Sequence, residues 1–295
     1  MIKREYSYID DNKLVSIIKN LCKDIYESLK VSRGKFLISE LDIGELRSKL
    51  TNDYLDLYID LDKYKSLISD DFGFYLMNII DSKLNEYFED LKFIVNVVKG
   101  SDSDYEISSN NIKSLFSNKI GADFLFLRNR FYIILNIDYV LLYFLLLKSS
   151  DREYLDFCKY VSYRIIFHEL YHRLQLENIE IGGDLPLSKW DIFTKDYPSR
   201  SNIKEYFSSD IEIYAYACNE VMFLLQYINK DNLYIILKNY NESNINFVLK
   251  KENLLEYRDY LFNIIDSYIK LFGKDSEIIK KFFRGMERCL DNIDS

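Results

Sequence analysis

His168-Glu169-Leu170-Tyr171-His172 is the stretch on which the reading of this chain turns, and its two histidines are the only ones among 295 residues. Two histidines dropped at random into such a chain would fall four apart with Glu after the first on the order of once in a few thousand sequences. Residues four apart share one face of an α-helix, so both imidazoles point the same way.

Outward from the motif, Ser150-Asp151-Arg152-Glu153 reads as a capping box with Ser150 as N-cap. The helix it opens is predicted to run through both histidines to about Glu177, ahead of the breaker Gly182-Gly183. Upstream, Phe124–Leu127 and Phe131–Leu135 flank Arg128-Asn129-Arg130 and predict a hairpin, followed by a short apolar helix over Tyr139–Leu147. Downstream, a loop with Pro186, Trp190 and Pro198 leads to a second helix beginning near Ser209. The remainder, Asp231 to Asp294, is predicted helical, broken at Gly273 and recapped at Ser276.

The N-terminal region is less patterned. Leu14, Ile17, Ile18, Leu21, Ile25 and Leu29 keep helical spacing from Lys13 to about Leu29. Lys35–Ile38 and Tyr54–Leu61 read as short strands, Phe74–Leu91 as a helix and Phe93–Val98 as a strand, and Gly100-Ser101-Asp102-Ser103-Asp104 is linker-like. The whole predicts an α+β protein, mostly α, with a small sheet ahead of the histidine helix and helices at the C-terminal end. Residues 1–100 form an N-terminal α+β region of unknown role and 101–295 the core with its C-terminal helices, or the two make one continuous domain.

Composition narrows the classes. Hydrophobic residues make up 48% and charged ones 29%, the balance of a folded globular chain. Heavy use of Tyr, Ile, Lys and Asn with little Pro and Gly fits an AT-rich bacterial or phage genome. A net charge of -8 argues against a general binder of nucleic acid or anionic membrane. The longest apolar stretch, Phe131 to Leu147, is interrupted by Asn136 and Asp138 and falls short of a span of about 20 residues. Cys22, Cys158, Cys218 and Cys289 are far apart and in no metal-ligand spacing. With no leader-like start at Met1-Ile2-Lys3-Arg4-Glu5, they predict reduced thiols in the cytoplasm.

On a helix, His168 and His172 could reach one ion at the Zn–N distance of about 2.0–2.1 Å. Glu169, rotated about 100° from His168, could contact a metal-bound water without displacing it. A catalytic zinc takes three protein ligands and keeps one open position. With no histidine left and no suitable cysteine, the third ligand must be a carboxylate. Glu212 is the best candidate: it opens the second helix, and two of the chain's three alanines, Ala215 and Ala217, lie just after it. A small residue one turn on would let this helix approach the histidine helix. Against it, Ser209-Asp210-Ile211-Glu212 also matches a capping box, which would turn the carboxylate back onto its own backbone. Asp210 and Glu220 are the rival ligands.

His168-Glu169-Leu170-Tyr171-His172 followed by Glu212-Ile213-Tyr214-Ala215-Tyr216-Ala217 resembles the gluzincin metallopeptidases, and bacterial and phage zincin-like proteins with a similar Glu-bearing helix. A more distant likeness is to the ImmA/IrrE metallopeptidases. It spans about His168 to Glu220 and nothing outside. The resemblance implies a zincin-like fold, one Zn2+ per chain held by His168, His172 and Glu212, Glu169 as base, and an extended peptide or protein as substrate. A tyrosine often steadies the oxyanion in such enzymes, and Tyr216 lies one turn after Glu212. Asn219 could orient a histidine from behind. An extended substrate would add to a sheet edge, for which Phe131–Leu135 or Phe124–Leu127 are candidates. The alternative is a zincin-fold structural or partner-binding protein whose zinc holds helices together.

Overall fold

A computed structural model of the chain describes residues 12–38, 78, 82, 91–98, 120–127, 130–138, 141, 145, 151–177 and 202–293. The expected strand at Tyr54–Leu61, the linker at Gly100–Asp104, the Ser150 cap and the loop carrying Pro186, Trp190 and Pro198 lie outside them. Two compact units divide the chain, one from Ile17 to Ile165, the other comprising Met1–Ser16 and Ile166–Ser295.

Helix α1 spans Asn12–Ile38. Leu14, Ile17, Ile18, Leu21, Cys22 and Ile25 form its buried stripe, as the helical spacing predicts. The helix runs on through Lys35–Ile38, where a strand was expected. Four apolar or polar residues are too few to set a period, and extending a helix already nucleated costs little.

Among the described residues three strands form a sheet: β1 (Leu91–Val98), β2 (Ile120–Leu127) and β3 (Arg130–Asp138). The order is β1-β3-β2, with β3 antiparallel to β2 and parallel to β1. The hairpin forms as the pattern predicts, with Leu127 opposite Arg130, so Arg130 belongs to the strand rather than the turn. Ile133, Leu135 and Ile137 alternate along β3 and are fully buried, the period of two that a strand imposes. Because β3 is paired on both sides, Phe131–Leu135 offers no sheet edge for an extended ligand; the outer strands are β1 and β2.

Asp151–Glu177 is helical throughout but not uniformly α. Helix α2 (Asp151–Lys159) passes into a π-helical segment, Tyr160–Ile166, and then into α3 (Phe167–Glu177), which carries the motif. One regular α-helix was expected here. Segments with i→i+5 bonding are rare and cluster at functional sites, and this one ends at the residue before Phe167.

The C-terminal helices are α4 (Ile203–Ser208), α5 (Asp210–Leu224), α6 (Lys230–Lys238), α7 (Glu242–Lys251), α8 (Arg258–Phe272) and α9 (Glu277–Asn292). Their starts show a use for the chain's abundant asparagine. Asn202, Asn229 and Asn241 each accept a hydrogen bond from the amide three residues on, and Ser209 and Ser276 do the same. Gly273, at φ 85°, ends α8 in a backbone conformation that L-residues with a Cβ avoid. Ile279, Phe282, Met286, Cys289 and Leu290 give α9 its buried face. Among the described residues no helix is long and apolar enough to cross a membrane.

Candidate metal centre

Helix α3 is buried on nearly every side, and its polar residues are buried with it: His168, Glu169, His172 and Gln175. Buried polar groups are expensive unless they find partners, so each of these side chains has to be accounted for. Helix α5 supplies the rest. Ser209, in extended conformation between α4 and α5, donates its hydroxyl to the Tyr206 carbonyl at 2.9 Å and accepts from the Glu212 amide at 3.4 Å. The serine half of the expected capping box therefore forms. The glutamate half does not: the Glu212 side chain leaves its own backbone and turns to the histidines.

The resulting triad is compact. His168 Nε2 and His172 Nε2 lie 3.0 Å apart. Glu212 Oε2 is 3.3 Å from the first and Oε1 is 3.4 Å from the second. Tetrahedral zinc with bonds of about 2.0–2.1 Å separates its ligand atoms by about 3.3–3.4 Å, so the two histidine–carboxylate contacts match the edges of such a coordination shell, and the histidine–histidine contact at 3.0 Å is shorter than an edge. These residues form the metal-ligating cluster found among the described residues, all three of them buried. Two imidazoles and a carboxylate are a ligand set that suits zinc.

The charges within the triad favour one another. Burial alone would push the Glu212 carboxyl up, but the imidazoles of His172 and His168 hold it well below the usual carboxylate range. Burial alone would push His172 down, yet the Glu212 carboxylate outweighs it and holds the imidazole above its ordinary value. The two shifts agree: Glu212 is an anion, ready to face a cation.

The rivals for the third ligand stand elsewhere. Asp210 points away to Lys281 of α9 and is half exposed. Glu220, buried on α5, lies two turns beyond Glu212 and outside the cluster. Glu169 is buried beside His168, and its charge acts on both His172 and Tyr216. The Tyr216 ring packs against His168 with centroids 4.4 Å apart. Burial, reinforced by Glu212, pushes its phenol well above the ordinary tyrosine value, so it keeps its proton. Asn219 is buried on the same helix.

Several neighbours escaped the sequence reading. Phe207 and Tyr268 flank Tyr216 at centroid distances of 5.5 and 5.7 Å, making an aromatic wall behind it. Gln175 bonds both His172 Nδ1 and the Ile211 carbonyl. Its signal was available, since a residue three after His172 shares that histidine's face, but only the α5 backbone shows what it reaches. Ala217 packs against α9, where a Cβ placed on Gly285 would meet its methyl at 3.0 Å.

Compared with models of known families, with curated proteins and with solved structures, the chain matches none.

Proposed function

We propose that the chain is a zinc-dependent peptidase of gluzincin type, with His168, His172 and Glu212 as ligands of one zinc ion. The observation that carries this reading is the convergence of two imidazoles and one carboxylate, with Nε2 to Nε2 at 3.0 Å and each Nε2 at 3.3 or 3.4 Å from one of the two Glu212 oxygens, assembled from helices some forty residues apart in sequence. When bound, zinc supplies the Lewis acidity that activates a water and polarises a carbonyl. The chain's own residues do the rest. Glu169, held next to His168 yet outside the ligand set, takes a proton from the attacking water on its carboxylate and returns it to the departing amine nitrogen. Tyr216, which keeps its phenolic proton, serves as a donor toward the carbonyl oxygen as negative charge grows there. The substrate is an extended peptide or protein segment, met in the cytoplasm, where the four buried cysteines stay thiols.

The test uses untagged protein purified without chelator. Elemental analysis should find one zinc per chain. Glu169→Gln should keep that zinc while hydrolysis of a mixed peptide library falls by about 10²–10⁴-fold, the range for a lost general base. Protein that takes up no zinc even after loading sinks the reading.

One observation favours a different class. His168, Glu169, His172 and Glu212 are all buried, as in a centre that holds helices together rather than one open to substrate. On that reading His168→Ala unfolds the protein, and Glu169→Gln changes no turnover on any peptide offered.

A further inference from the structure

Gln175 is a buried side chain that touches both helices of the metal centre. It sits a single turn after His172 on α3 and is almost fully buried. Its Nε2 donates to the Ile211 carbonyl at 2.9 Å, and its Oε1 lies 2.9 Å from His172 Nδ1. A carbonyl oxygen only accepts, so the amide must present its NH2 group to Ile211. That leaves its oxygen, also only an acceptor, against His172. The proton in this contact therefore has to sit on Nδ1 of the imidazole. In the neutral ring Nε2 is then the bare nitrogen, and Nε2 is the atom that faces His168 and Glu212.

The other histidine is built differently. His168 Nδ1 is buried with no hydrogen-bond partner. Its Nε2, 3.0 Å from the bare Nε2 of His172, is the atom placed to donate. So one ring is set in the ligating tautomer and the other is not.

We propose that Gln175 is a positioning residue of the metal centre: it locks His172 as the Nδ1–H tautomer with Nε2 free for the ion. Through Ile211, it also ties that imidazole to the turn carrying Glu212. The proposal rests on the metal reading above for its purpose, though not for the tautomer itself. A hydrogen bond behind a ligating histidine fixes the ring and raises its basicity, and its loss typically weakens metal binding about 10–100-fold.

Because the chain has two histidines, ¹⁵N-histidine labelling yields only two rings to read. In metal-free wild-type protein at alkaline pH, one ring should show Nδ1–H and the other Nε2–H. Gln175→Leu should abolish the Nδ1–H signature and lower zinc affinity, measured by chelator competition, about 10–100-fold. Gln175→Glu still offers an acceptor to Nδ1–H but cannot donate to Ile211. It should keep the signature and hold affinity within about tenfold of wild type. A Gln that merely tied two helices would give the opposite pattern, with Glu as damaging as Leu.

Two Nε2–H rings in the wild type overturn the proposal, as does unchanged zinc affinity in Gln175→Leu. If the Leu variant does not fold, the wild-type rings and the Glu variant decide: affinity lost by Gln175→Glu with native circular dichroism overturns it. Wild-type protein that shows the two tautomers but takes no zinc supports the lock and sinks the metal reading it serves.

Discussion

Helix α5 meets α3 with one part of its surface and α9 with another, and the two contacts are made of different materials. Toward α3 it presents a buried carboxylate, Glu212, surrounded by imidazoles and an amide. Toward α9 it presents small groups: Ala217 lies against Gly285, and the Cys289 thiol is 4.0 Å from the Cys218 carbonyl. The α9 contact is what burial of apolar surface produces, and it stabilises the fold directly. The α3 contact desolvates charge, which burial opposes, and the imidazoles facing Glu212 compensate it. One helix thus carries a buried polar surface on one side and a small-residue packing surface on the other.

Replacing the carboxylate should produce the largest effect. Glu212→Met removes a proposed ligand, so zinc affinity should fall by more than the roughly 100-fold upper figure for losing an outer partner. At alkaline pH, where both imidazoles are neutral, metal-free stability should hold or rise, because the variant then removes a buried charge without stranding a charged partner. Urea unfolding with and without zinc checks both. At about 100 times its dissociation constant, zinc should add about 2.7 kcal/mol to the wild type and nothing to the variant. A variant much less stable than wild type without metal would show that the triad is structural, and the contrast between the two surfaces would collapse.

The opposite surface should respond the opposite way. A Cβ on Gly285 would stand 3.0 Å from the Ala217 methyl and 3.5 Å from the Tyr214 ring. The methyl is fixed to its backbone, so the helices themselves would have to separate. Gly285→Leu should cost about 3 kcal/mol, the upper end of ordinary overpacking, while zinc per folded chain stays the same. An unchanged urea midpoint would mean that α5 and α9 pack more loosely than the distances imply.

This contrast also explains what could be read from the sequence. His168 and His172 were legible because helical periodicity decides which side chains share a face. A carboxylate as third ligand followed by elimination, there being no third histidine, and Glu212 was preferred to Asp210 and Glu220 for its place at the start of a helix beside two of the three alanines. Its competing role in a capping box was a local choice that only the tertiary partner could settle, since the same carboxylate can satisfy either neighbour. Ala217 was noticed for its rarity, but its partner Gly285 lies far along the chain and carries no pattern of its own. Gln175 was missed for the same reason: the Ile211 carbonyl it reaches belongs to a helix beyond a long connection. The π-helical turn at Tyr160–Ile166 left no signal in the periodicity of its residues. Lys35–Ile38 shows the reverse failure, a run too short to prefer strand or helix until α1 reached it.

A smaller effect is expected at the joint between α4 and α5. Ser209 caps α5 three residues before the Glu212 amide, and Ser209→Ala should cost about 1 kcal/mol in thermal or urea unfolding. Because that amide belongs to the proposed ligand Glu212, the same variant should also loosen zinc measurably, whereas Ser276→Ala, capping α9 at a similar cost, should leave zinc untouched. Equal zinc affinity in the two variants would show that Glu212 is held by the histidines alone.

The smallest effect belongs to a charge pair that α5 sends toward α9. Asp210 meets Lys281, whose ammonium also lies 5.7 Å from the Tyr214 ring. The chemistry is a carboxylate facing a cation, as in the proposed metal site, but water reaches both partners here. In high dielectric the attraction is weak, and holding a long lysine chain in place uses up part of it. Lys281→Met, which keeps the stem and removes the charge, should therefore change stability by only about 0.5 kcal/mol. That difference should shrink further in about 1 M salt, where screening acts within about 3 Å. Zinc affinity should not move. A loss of several kcal/mol from this variant would mean that surface charge, not the small-residue contact at Gly285, joins α5 to α9.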